Sequence, residues 1–367
     1  MTGRMSTFDP KGPVAESQLE LFYITLVVTG FLWLTVGSAL LVALVKFRER
    51  PGDENKPYPS PAHGNPFVEI SLIGVSILCL VVIAVPTVRG IWIQEVLPVD
   101  EEDAIVVDVT GYRWWWKFDY PDLGVVTANE LTIPVGKVVK LNLRSDDVIH
   151  SFWIPKLAGK VDLMPGRKNW MWIQADEEGH YYGQCAEYCG ASHAYMLIRA
   201  NALSEIDFEN WVEAQRTGAT PPVSAGSWAA VRSTDESVKA PLREDPIFRG
   251  AELFLGRAGC VQCHTVDGRS TEPGQNELIP LAAGVDGPNL THVGSRSSLA
   301  AGMLENRRAD GTIDPDKQLD NFFRWIYSSE TVKPGNLMHT TVQTTIENQG
   351  LTKNDFRDIA AFLQTLK

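Results

Sequence analysis

Two long uncharged runs dominate the hydrophobic pattern near the start of the chain. Residues 21–45 and 70–88 contain no charged side chain, and a helix needs about 20 apolar residues to cross a bilayer. Two buried core helices are the alternative. The loop between the runs is basic, however, and short basic loops stay in the cytoplasm. Its cations are Lys46, Arg48, Arg50 and Lys56. The pattern therefore predicts a membrane hairpin, with the N-terminus and the residues after Gly90 outside.

The pattern changes to short alternating runs between residues 104 and 202. Apolar side chains recur at positions 105, 107 and 109, and again at 139, 141 and 143. This period of two, interrupted by Gly, Pro and Asp, is typical of half-buried strands in a sandwich or barrel. Trp114, Trp115 and Trp116 are adjacent and cannot share one face of a strand. We interpret Trp115 and Trp116 as a cover on the outside of the barrel, near the membrane surface.

Helical signals mark a third unit. Ser204 is typical of a helix start, and residues 217–244 are rich in Gly, Ala, Pro, Ser and Thr, which is the composition of a linker. Asp245 and Pro246 form a helix N-cap followed by proline at the first helical position. A last helix begins at Thr352. Its apolar face consists of Phe356, Ile359, Ala360 and Leu363.

Composition narrows the range of partners. The 367 residues carry a net charge of −12, which argues against nucleic acid and favours basic or cationic partners. Hydrophobic content is 44%, ordinary for a globular protein, so the membrane signal is local. Four of the five cysteines form two closely spaced pairs, which are typical of cofactor ligands rather than of a disulfide framework. Cys79, inside the second apolar run, is interpreted as a small buried hydrophobe.

The loop of residues 183–196 combines one cysteine pair with other soft donors. Thiolate, imidazole and thioether together select copper over hard cations, and a further imidazole is available upstream. These side chains exceed what a single copper ion needs, which favours two coppers bridged by both sulfurs. A disulfide between the cysteines is the alternative. The five side chains are Cys185, Cys189, His193, Met196 and the upstream His150.

The other cysteine pair lies in Cys260-Val-Gln-Cys-His264, the attachment motif of c-type haem. In this interpretation the thiols of Cys260 and Cys263 bond covalently to the haem vinyl groups, and His264 becomes the proximal iron ligand. A zinc site is the alternative, but the sequence holds no further pair of this kind. Methionine as the second axial ligand raises the haem potential and closes the iron to other ligands.

Together these motifs resemble subunit II of haem–copper cytochrome c oxidase, in the type with a fused C-terminal cytochrome c domain. The resemblance implies a two-helix transmembrane hairpin, an all-β cupredoxin-like Greek-key barrel and an all-α class I cytochrome c domain. It also implies a dinuclear copper centre, CuA, with the backbone carbonyl of Glu187 as an additional ligand. The side-chain ligands would be His150, Cys185, Cys189, His193 and Met196.

The expected domain boundaries follow from the runs and motifs. They are an external N-terminal segment at 1–20, transmembrane helix 1 at 21–46, a cytoplasmic loop at 47–65, transmembrane helix 2 at 66–91, the cupredoxin CuA domain at 104–203, a helix and linker at 204–244, and the cytochrome c domain at 245–367.

The order of motifs in class I cytochromes c favours Met338 as the second axial ligand, because it follows CxxCH and precedes the terminal helix. The adjacent His339 is a rival, and Met303 lies too early in the order. The resemblance further implies that the carbonyl of Pro288 accepts a hydrogen bond from His264. His292 and Arg296 either touch the haem propionates or make structural contacts.

The resemblance assigns roles to four further places. Trp114 lies where electrons enter towards CuA. Glu69 lies at the mouth of a proton-uptake pathway, although the residues after it depart from the family pattern, so a plain interfacial glutamate is the alternative. The Glu187 side chain would bind a magnesium ion shared with subunit I. Asp162 and Arg167 would make hydrogen bonds at that interface.

The function implied is that of the subunit where electrons enter a terminal oxidase. They would pass from an external donor through haem c and CuA to subunit I, which reduces O₂ to water with proton pumping. Partners would be subunits I and III and a donor, either cytochrome c or another electron-donating complex. The location would be a bacterial inner (plasma) membrane, with the soluble domains on the periplasmic face. A subunit of a nitric-oxide-reducing haem–copper enzyme and a free-standing membrane carrier are the alternatives; a quinol oxidase does not need the copper ligands.

Overall fold

The computed structural model describes residues 3–52, 64–269 and 278–367. They form two compact units. One is Val14–Pro98, and the other joins the first 13 residues to Val99–Lys367. Lys56 of the expected cytoplasmic loop lies outside the described residues.

The smaller unit consists of two long helices, α1 (Pro13–Lys46) and α2 (Pro66–Glu95). The N-cap of α2 is Asn65, whose side chain accepts a hydrogen bond from the backbone of Phe67 at 3.0 Å. Most apolar side chains of both helices are exposed, as suits helices whose backbone groups are satisfied internally and whose surface meets lipid. Both helices are long and apolar enough to cross a membrane.

Two five-stranded sheets build the domain that follows. The first has the strand order β3-β2-β1-β5-β8, and the second β4-β10-β9-β6-β7. Most neighbours are antiparallel, but β1 pairs with β5 and β4 with β10 in parallel, which confirms the predicted cupredoxin-like architecture. The strands are β1 (Ile105–Tyr112), β2 (Trp115–Tyr120), β3 (Val125–Ala128), β4 (Glu130–Pro134), β5 (Val139–Ser145), β6 (His150–Trp153), β7 (Lys160–Leu163), β8 (Asn169–Ile173), β9 (Gly179–Cys185) and β10 (Leu197–Leu203).

The tryptophan run is divided between the core and the surface. Trp116 is fully buried, and its ring meets those of His150 and Phe152 at centroid distances of 6.0 and 5.7 Å. The interpretation of Trp116 as an outer cover is therefore wrong. Trp115 points the other way and stacks on Tyr112. Since successive side chains of a strand alternate faces, only one of these two neighbours could remain outside.

The C-terminal part is helical, with two small hairpins. Helices α6 and α10 cross where Gly250 has no side chain: a Cβ there would lie 2.0 Å from the carbonyl oxygen of Asp358. Thr352 and Asp355 form a capping box at the start of α10. The predicted apolar face of that helix is buried. The elements are α6 (Pro246–Leu255), β11 (Thr265–Arg269), β12 (Leu278–Ala283), β13 (Ser298–Leu299), β14 (Leu304–Glu305), α7 (Pro315–Tyr327), α8 (Ser329–Val332), α9 (Leu337–Gln349) and α10 (Lys353–Thr365).

The segment between the barrel and the helical domain is ordered by packing. It contains α3 (Glu205–Arg216), α4 (Trp228–Arg232) and α5 (Glu236–Lys239). Trp228 is buried in the core of the helical domain, and its Nε1 donates to the carbonyl of Ala219 at 3.1 Å. The composition of residues 217–244 indicates a linker, but burial of a tryptophan makes them part of the helical domain.

Candidate copper and haem sites

The copper loop is formed where strands β9 and β10 are joined. Cys185 ends β9, Met196 directly precedes β10, and the backbone N–H of Cys185 donates to the carbonyl of Met196 at 2.9 Å. Strand β6 lies beside β9 and begins with His150, so the remote imidazole reaches the loop through sheet pairing. The N–H of Ala186 donates to the carbonyl of Ser151 at 2.9 Å and holds the two segments together.

The predicted donor atoms converge on the two sulfurs. The Sγ atoms of Cys185 and Cys189 are 3.8 Å apart, and both cysteines are free, which excludes the disulfide in this structure. Nδ1 of His150 lies 3.9 Å from the Cys185 sulfur, and Nδ1 of His193 lies 3.7 Å from the Cys189 sulfur. The Met196 sulfur is 3.9 Å from Cys189 Sγ.

The carbonyl oxygen of Glu187 completes the cluster at 3.2 Å from Cys185 Sγ. Cys185, Cys189, Met196 and His150 are buried, so water is largely excluded from the donors. Two thiols, two imidazoles, a thioether and a carbonyl form a soft set of the kind that copper prefers. The residues therefore fit a thiolate-bound copper centre.

The electrostatics of the cysteine pair favour one ionised sulfur. The neighbouring Cys189 thiol, helped by His150, lowers the pKa of Cys185 to about 3 despite burial. The adjacent Cys185 sulfur, together with burial, raises the pKa of Cys189. Two sulfurs this close therefore resist carrying two negative charges until a cation joins them, and a bound metal relieves that repulsion.

Asp147 orients the remote imidazole. Its Oδ1 lies 2.8 Å from Nε2 of His150, so the Nε2–H donates to the carboxylate and the lone pair of Nδ1 faces Cys185. Burial lowers the pKa of His150, but the hydrogen bonds to Asp147 and Cys185 raise it overall. Carboxylates commonly fix metal-binding histidines in this way. Sequence reasoning missed Asp147, although its position three residues before His150 is a usable signal.

A cavity in the helical domain brings the haem motif together. Cys260, Cys263, His264 and Met338 all line it. His264 is fixed by its Nδ1, which lies 2.9 Å from the carbonyl oxygen of Pro288, as the resemblance implied. Burial lowers the pKa of His264, which favours the neutral imidazole that a metal ligand requires.

The two rivals of Met338 for the second axial position, His339 and Met303, do not line this cavity. Of the described residues that line it, Met338 is the only methionine. Gly287 contributes by close approach, because a Cβ there would lie 2.6 Å from Cε1 of His264. Cysteines, histidine and methionine around one cavity fit a c-type haem with a thioether as second ligand.

Arg296 adds a buried positive charge to the cavity wall. It is 9% exposed, and one of its Nη atoms donates to the carbonyl of Asn289. In the part of the chain that the structure describes, its Nε has no hydrogen-bond partner. Burial lowers its pKa to about 10, so it remains charged at neutral pH. A buried guanidinium with this Nε donor to spare fits a haem propionate. The ring of His292, in contrast, bonds the Gln215 carbonyl at 3.2 Å and does not line the cavity.

Trp114 lies between the two sites. Its Nε1 donates to the carbonyl of the copper-loop residue Cys189 at 3.0 Å, and its side chain also lines the haem cavity. Lys333, 4% exposed, donates from Nζ to the Trp114 carbonyl, and burial lowers its pKa to about 7. The Ser192 hydroxyl donates to the Pro334 carbonyl at 2.6 Å. Sequence reasoning missed Lys333, because its role depends on contact between domains.

The remaining predicted residues lie apart from these donors. The Glu187 side chain is exposed. Asp162 lies on β7, and its carbonyl accepts from Asn169 at 2.7 Å. Arg167 is exposed in the loop after β7. Glu69 is exposed in the first turn of α2.

Comparison with known proteins agrees with both sites. Residues 125–203 match the family model for the periplasmic domain of cytochrome c oxidase subunit II, and residues 247–367 match that for cytochrome c. Cytochrome c oxidase subunit 2 of Alkalihalophilus pseudofirmus is 31% identical over 366 residues, which covers 99% of this chain and 91% of that protein. The chain belongs to the cytochrome c oxidase subunit 2 family.

Two other similarities cover less of the chain. Quinol oxidase subunit 2 of Bacillus spizizenii is 37% identical over 213 residues, 57% of this chain and 65% of that protein. The crystal structure of the periplasmic domain of cytochrome oxidase subunit II from Bradyrhizobium japonicum is 32% identical. It covers 33% of this chain and 97% of that one, with a TM-score of 0.31.

Membership in the subunit 2 family gives the sites their general identity. The oxidase domain implies CuA, and the cytochrome c domain implies haem. A subunit 2 chain associates with subunit I in a membrane complex, and the two apolar helices fit a membrane anchor with a periplasmic domain.

Proposed function

We propose that this chain is the subunit through which electrons enter a terminal cytochrome c oxidase. It takes electrons from an external donor, cytochrome c or another electron-donating complex, in its cytochrome c domain. It passes them through the barrel domain to subunit I, where O₂ is reduced to water with proton pumping. The soluble domains lie on the periplasmic face of a bacterial plasma membrane, and subunit III completes the complex.

The position of Trp114 is the observation that carries this proposal. Its indole lies at the wall of the haem cavity and donates to the carbonyl of Cys189. A haem-cavity wall and a copper-loop backbone thus share one aromatic side chain. A protein that only stored the two cofactors would have no need of this connection.

The distribution of donors supports a dinuclear centre. Cys185 has His150 and the Glu187 carbonyl beside it, while Cys189 has His193 and Met196. The other donors are thus divided into two groups, one beside each sulfur. The two sulfurs are close enough that both could bind the copper ion of either group. When bound, the coppers and the haem iron supply the one-electron chemistry.

The chain's own residues fix and shield those centres. Asp147 holds the His150 ring in one tautomer, and the Pro288 carbonyl does the same for His264. Both sites offer protein donors for the coordination positions, with none reserved for a substrate, as suits electron carriers rather than catalytic metals. Cys260 and Cys263 would attach the haem covalently, and Arg296 would pair with a propionate.

Two further roles concern the interface with subunit I. The exposed carboxylate of Glu187 would share a magnesium ion with that subunit. A lone carboxylate holds Mg²⁺ poorly, because the ion demands near-octahedral oxygen coordination, so the partner must complete the site. Asp162 and Arg167 make hydrogen bonds across the same interface.

Metal and haem content tests the proposal. The full chain, expressed alone with haem-attachment machinery and purified in detergent, is expected to hold two coppers and one iron. Mass spectrometry counts the metals, and acid–acetone extraction leaves the haem on the protein because thioether bonds hold it. One copper or none, or haem that extracts freely, would contradict the dinuclear centre or the covalent attachment respectively.

Replacing Trp114 by phenylalanine is expected to slow electron transfer from reduced haem c to the copper site. An aromatic ring is kept, but the part of the indole that carries Nε1 is lost, and with it the hydrogen bond to the Cys189 carbonyl. We expect a fall of about ten- to hundredfold, the scale on which small misplacements lower rates. To measure this rate, the haem is reduced by a light flash and the change in copper absorbance is followed over time. Trp211→Phe, on α3, is the matched control, and an equal rate in both variants would remove Trp114 from the path.

Glu69→Ala is expected to slow oxygen reduction by the assembled oxidase without slowing haem c reduction, because Glu69 serves proton uptake and not electron input. Ionisable groups at a membrane segment are functional candidates by default. Stopped-flow reduction of haem c and oxygen consumption are measured on the same preparation. Glu20→Ala, on α1, is the control. Normal oxygen consumption in the Glu69 variant would leave Glu69 a plain interfacial residue.

A further inference from the structure

A buried carboxylate of the barrel domain reaches into the cytochrome c domain. Glu130, the first residue of β4, is 7% exposed. Its Oε1 accepts from the Ser297 hydroxyl at 2.7 Å, the Ser298 N–H at 2.7 Å and the Ser298 hydroxyl at 2.8 Å. Its Oε2 accepts from the Ser297 N–H at 3.1 Å. All four donors belong to the cytochrome c domain.

A buried carboxylate is destabilising unless both of its oxygens accept hydrogen bonds. Burial of an ionised carboxylate without partners is strongly unfavourable, and hydrogen bonds to charged acceptors are about twice as strong as neutral ones. Glu130 takes no part in the copper or haem ligand sets. Its partners directly follow Arg296, which lines the haem cavity. The carboxylate thus holds the stretch of chain that carries a cavity residue.

Contacts on the same side of the barrel hold the next residues of this stretch. The Leu197 N–H donates to the Ala301 carbonyl at 3.1 Å, and Arg199 donates from Nη2 to the Gly302 carbonyl at 2.6 Å. Ala300 and Ala301 have φ values of 54° and 55°, a left-handed conformation that is unfavourable for residues with a Cβ atom. Contacts to the barrel therefore maintain a backbone that the segment would not favour alone.

We propose that Glu130 is a positioning residue that locks residues 296–302 of the cytochrome c domain onto the barrel and so keeps the haem cavity against Trp114. The proposal rests on the electron-transfer function given above. It makes the cytochrome c domain a fixed partner of the copper domain rather than a module that swings on a tether. The path between the cofactors is then present before any electron arrives.

Hydrogen exchange in the full chain tests the lock directly. The amides of Ser297 and Ser298 both donate to Glu130, so Glu130→Ala is expected to speed their exchange on the order of ten- to hundredfold, the equivalent of losing bonds to a charged group. Glu130→Gln keeps one carbonyl oxygen for the three Oε1 bonds and is expected to fall between. Glu178→Ala removes the same charge from an exposed loop position and is expected to change nothing.

The rate of haem-to-copper transfer supplies the functional measurement. In the unmodified chain it is expected to be independent of solvent viscosity, because no domain motion precedes it. In Glu130→Ala it is expected to be slower and to fall further as glycerol is added, with copper and haem contents unchanged. A lost contact that only lowered stability would not create a viscosity dependence. If the alanine variant does not fold, the same two measurements on Glu130→Gln decide.

Two results would overturn the lock: unchanged exchange at Ser297 and Ser298 in the variants, or a viscosity-dependent rate in the unmodified chain. These are distinct from failure of the proposed function. That failure would appear as missing copper or haem in the unmodified chain, where the exchange measurement still reports on Glu130.

Discussion

Replacing Cys185 by serine is expected to remove most of the copper from the chain. Three contacts of the cluster meet at this sulfur: Cys189 Sγ at 3.8 Å, His150 Nδ1 at 3.9 Å and the Glu187 carbonyl at 3.2 Å. A serine hydroxyl is a harder donor than a thiolate and does not ionise near neutral pH, so it cannot bridge two soft ions. The affinity should fall by more than the about 10- to 100-fold that loss of an outer partner costs.

Copper content and the thiolate-to-copper absorbance of the purified chain measure this effect. Cys79→Ser makes the same chemical change in α2, a helix of the other structural unit, and is expected to keep both coppers. Haem content is expected to be normal in both variants, because the haem motif lies in another domain. If Cys185→Ser retained two coppers with unchanged absorbance, the sulfur-bridged centre would be wrong.

Replacing Met338 by alanine is expected to lower the haem c potential and to open the iron to added ligands. Met338 lines the cavity that holds Cys260, Cys263 and His264, and a thioether ligand both raises the potential and closes the sixth position. The fall should be on the order of 0.1 V or more, since axial ligands control haem potentials over about 0.8 V. Redox titration and carbon monoxide binding to the reduced protein measure the two effects.

His339→Ala is the matched control, because it alters the adjacent residue of the same helix. It is expected to leave the potential unchanged and the reduced haem closed to carbon monoxide. The opposite pattern, with His339→Ala opening the iron and Met338→Ala leaving it closed, would assign the second axial position to histidine.

The parts of the protein that could be predicted from sequence are those written in short stretches. Four of the five copper side chains fall within residues 185–196, and the haem motif fills residues 260–264. Strand alternation and helix starts are equally local: Ser204 and Asp245 are helix N-caps as expected, and the last helix begins after Thr352. In each case the residues that must act together are close in sequence, so their spacing along the chain is enough to predict the feature.

The structure differs from the sequence interpretation at two places, and at both a tryptophan could lie either on the surface or in a core. The sequence interpretation places Trp116 on the surface, because three tryptophans compete for two faces and alternation does not say which face is the core. Residues 217–244 have a linker composition, yet Trp228 finds a buried place in the helical domain. Composition measures the average tendency of a segment, whereas one large ring that finds a cavity can order the whole segment.

The sequence by itself determined the identity of the donors, the type of each domain and the order in which they occur, because ligand chemistry and hydrophobic period are properties of the residues. Only the tertiary structure decided how the domains meet: Trp114 against the copper loop, Lys333 at the Trp114 carbonyl, and Glu130 among the hydroxyl and amide groups of Ser297 and Ser298. These contacts join residues separated by 75 to 219 positions. Their energy depends on burial and direction, which spacing along the chain does not encode.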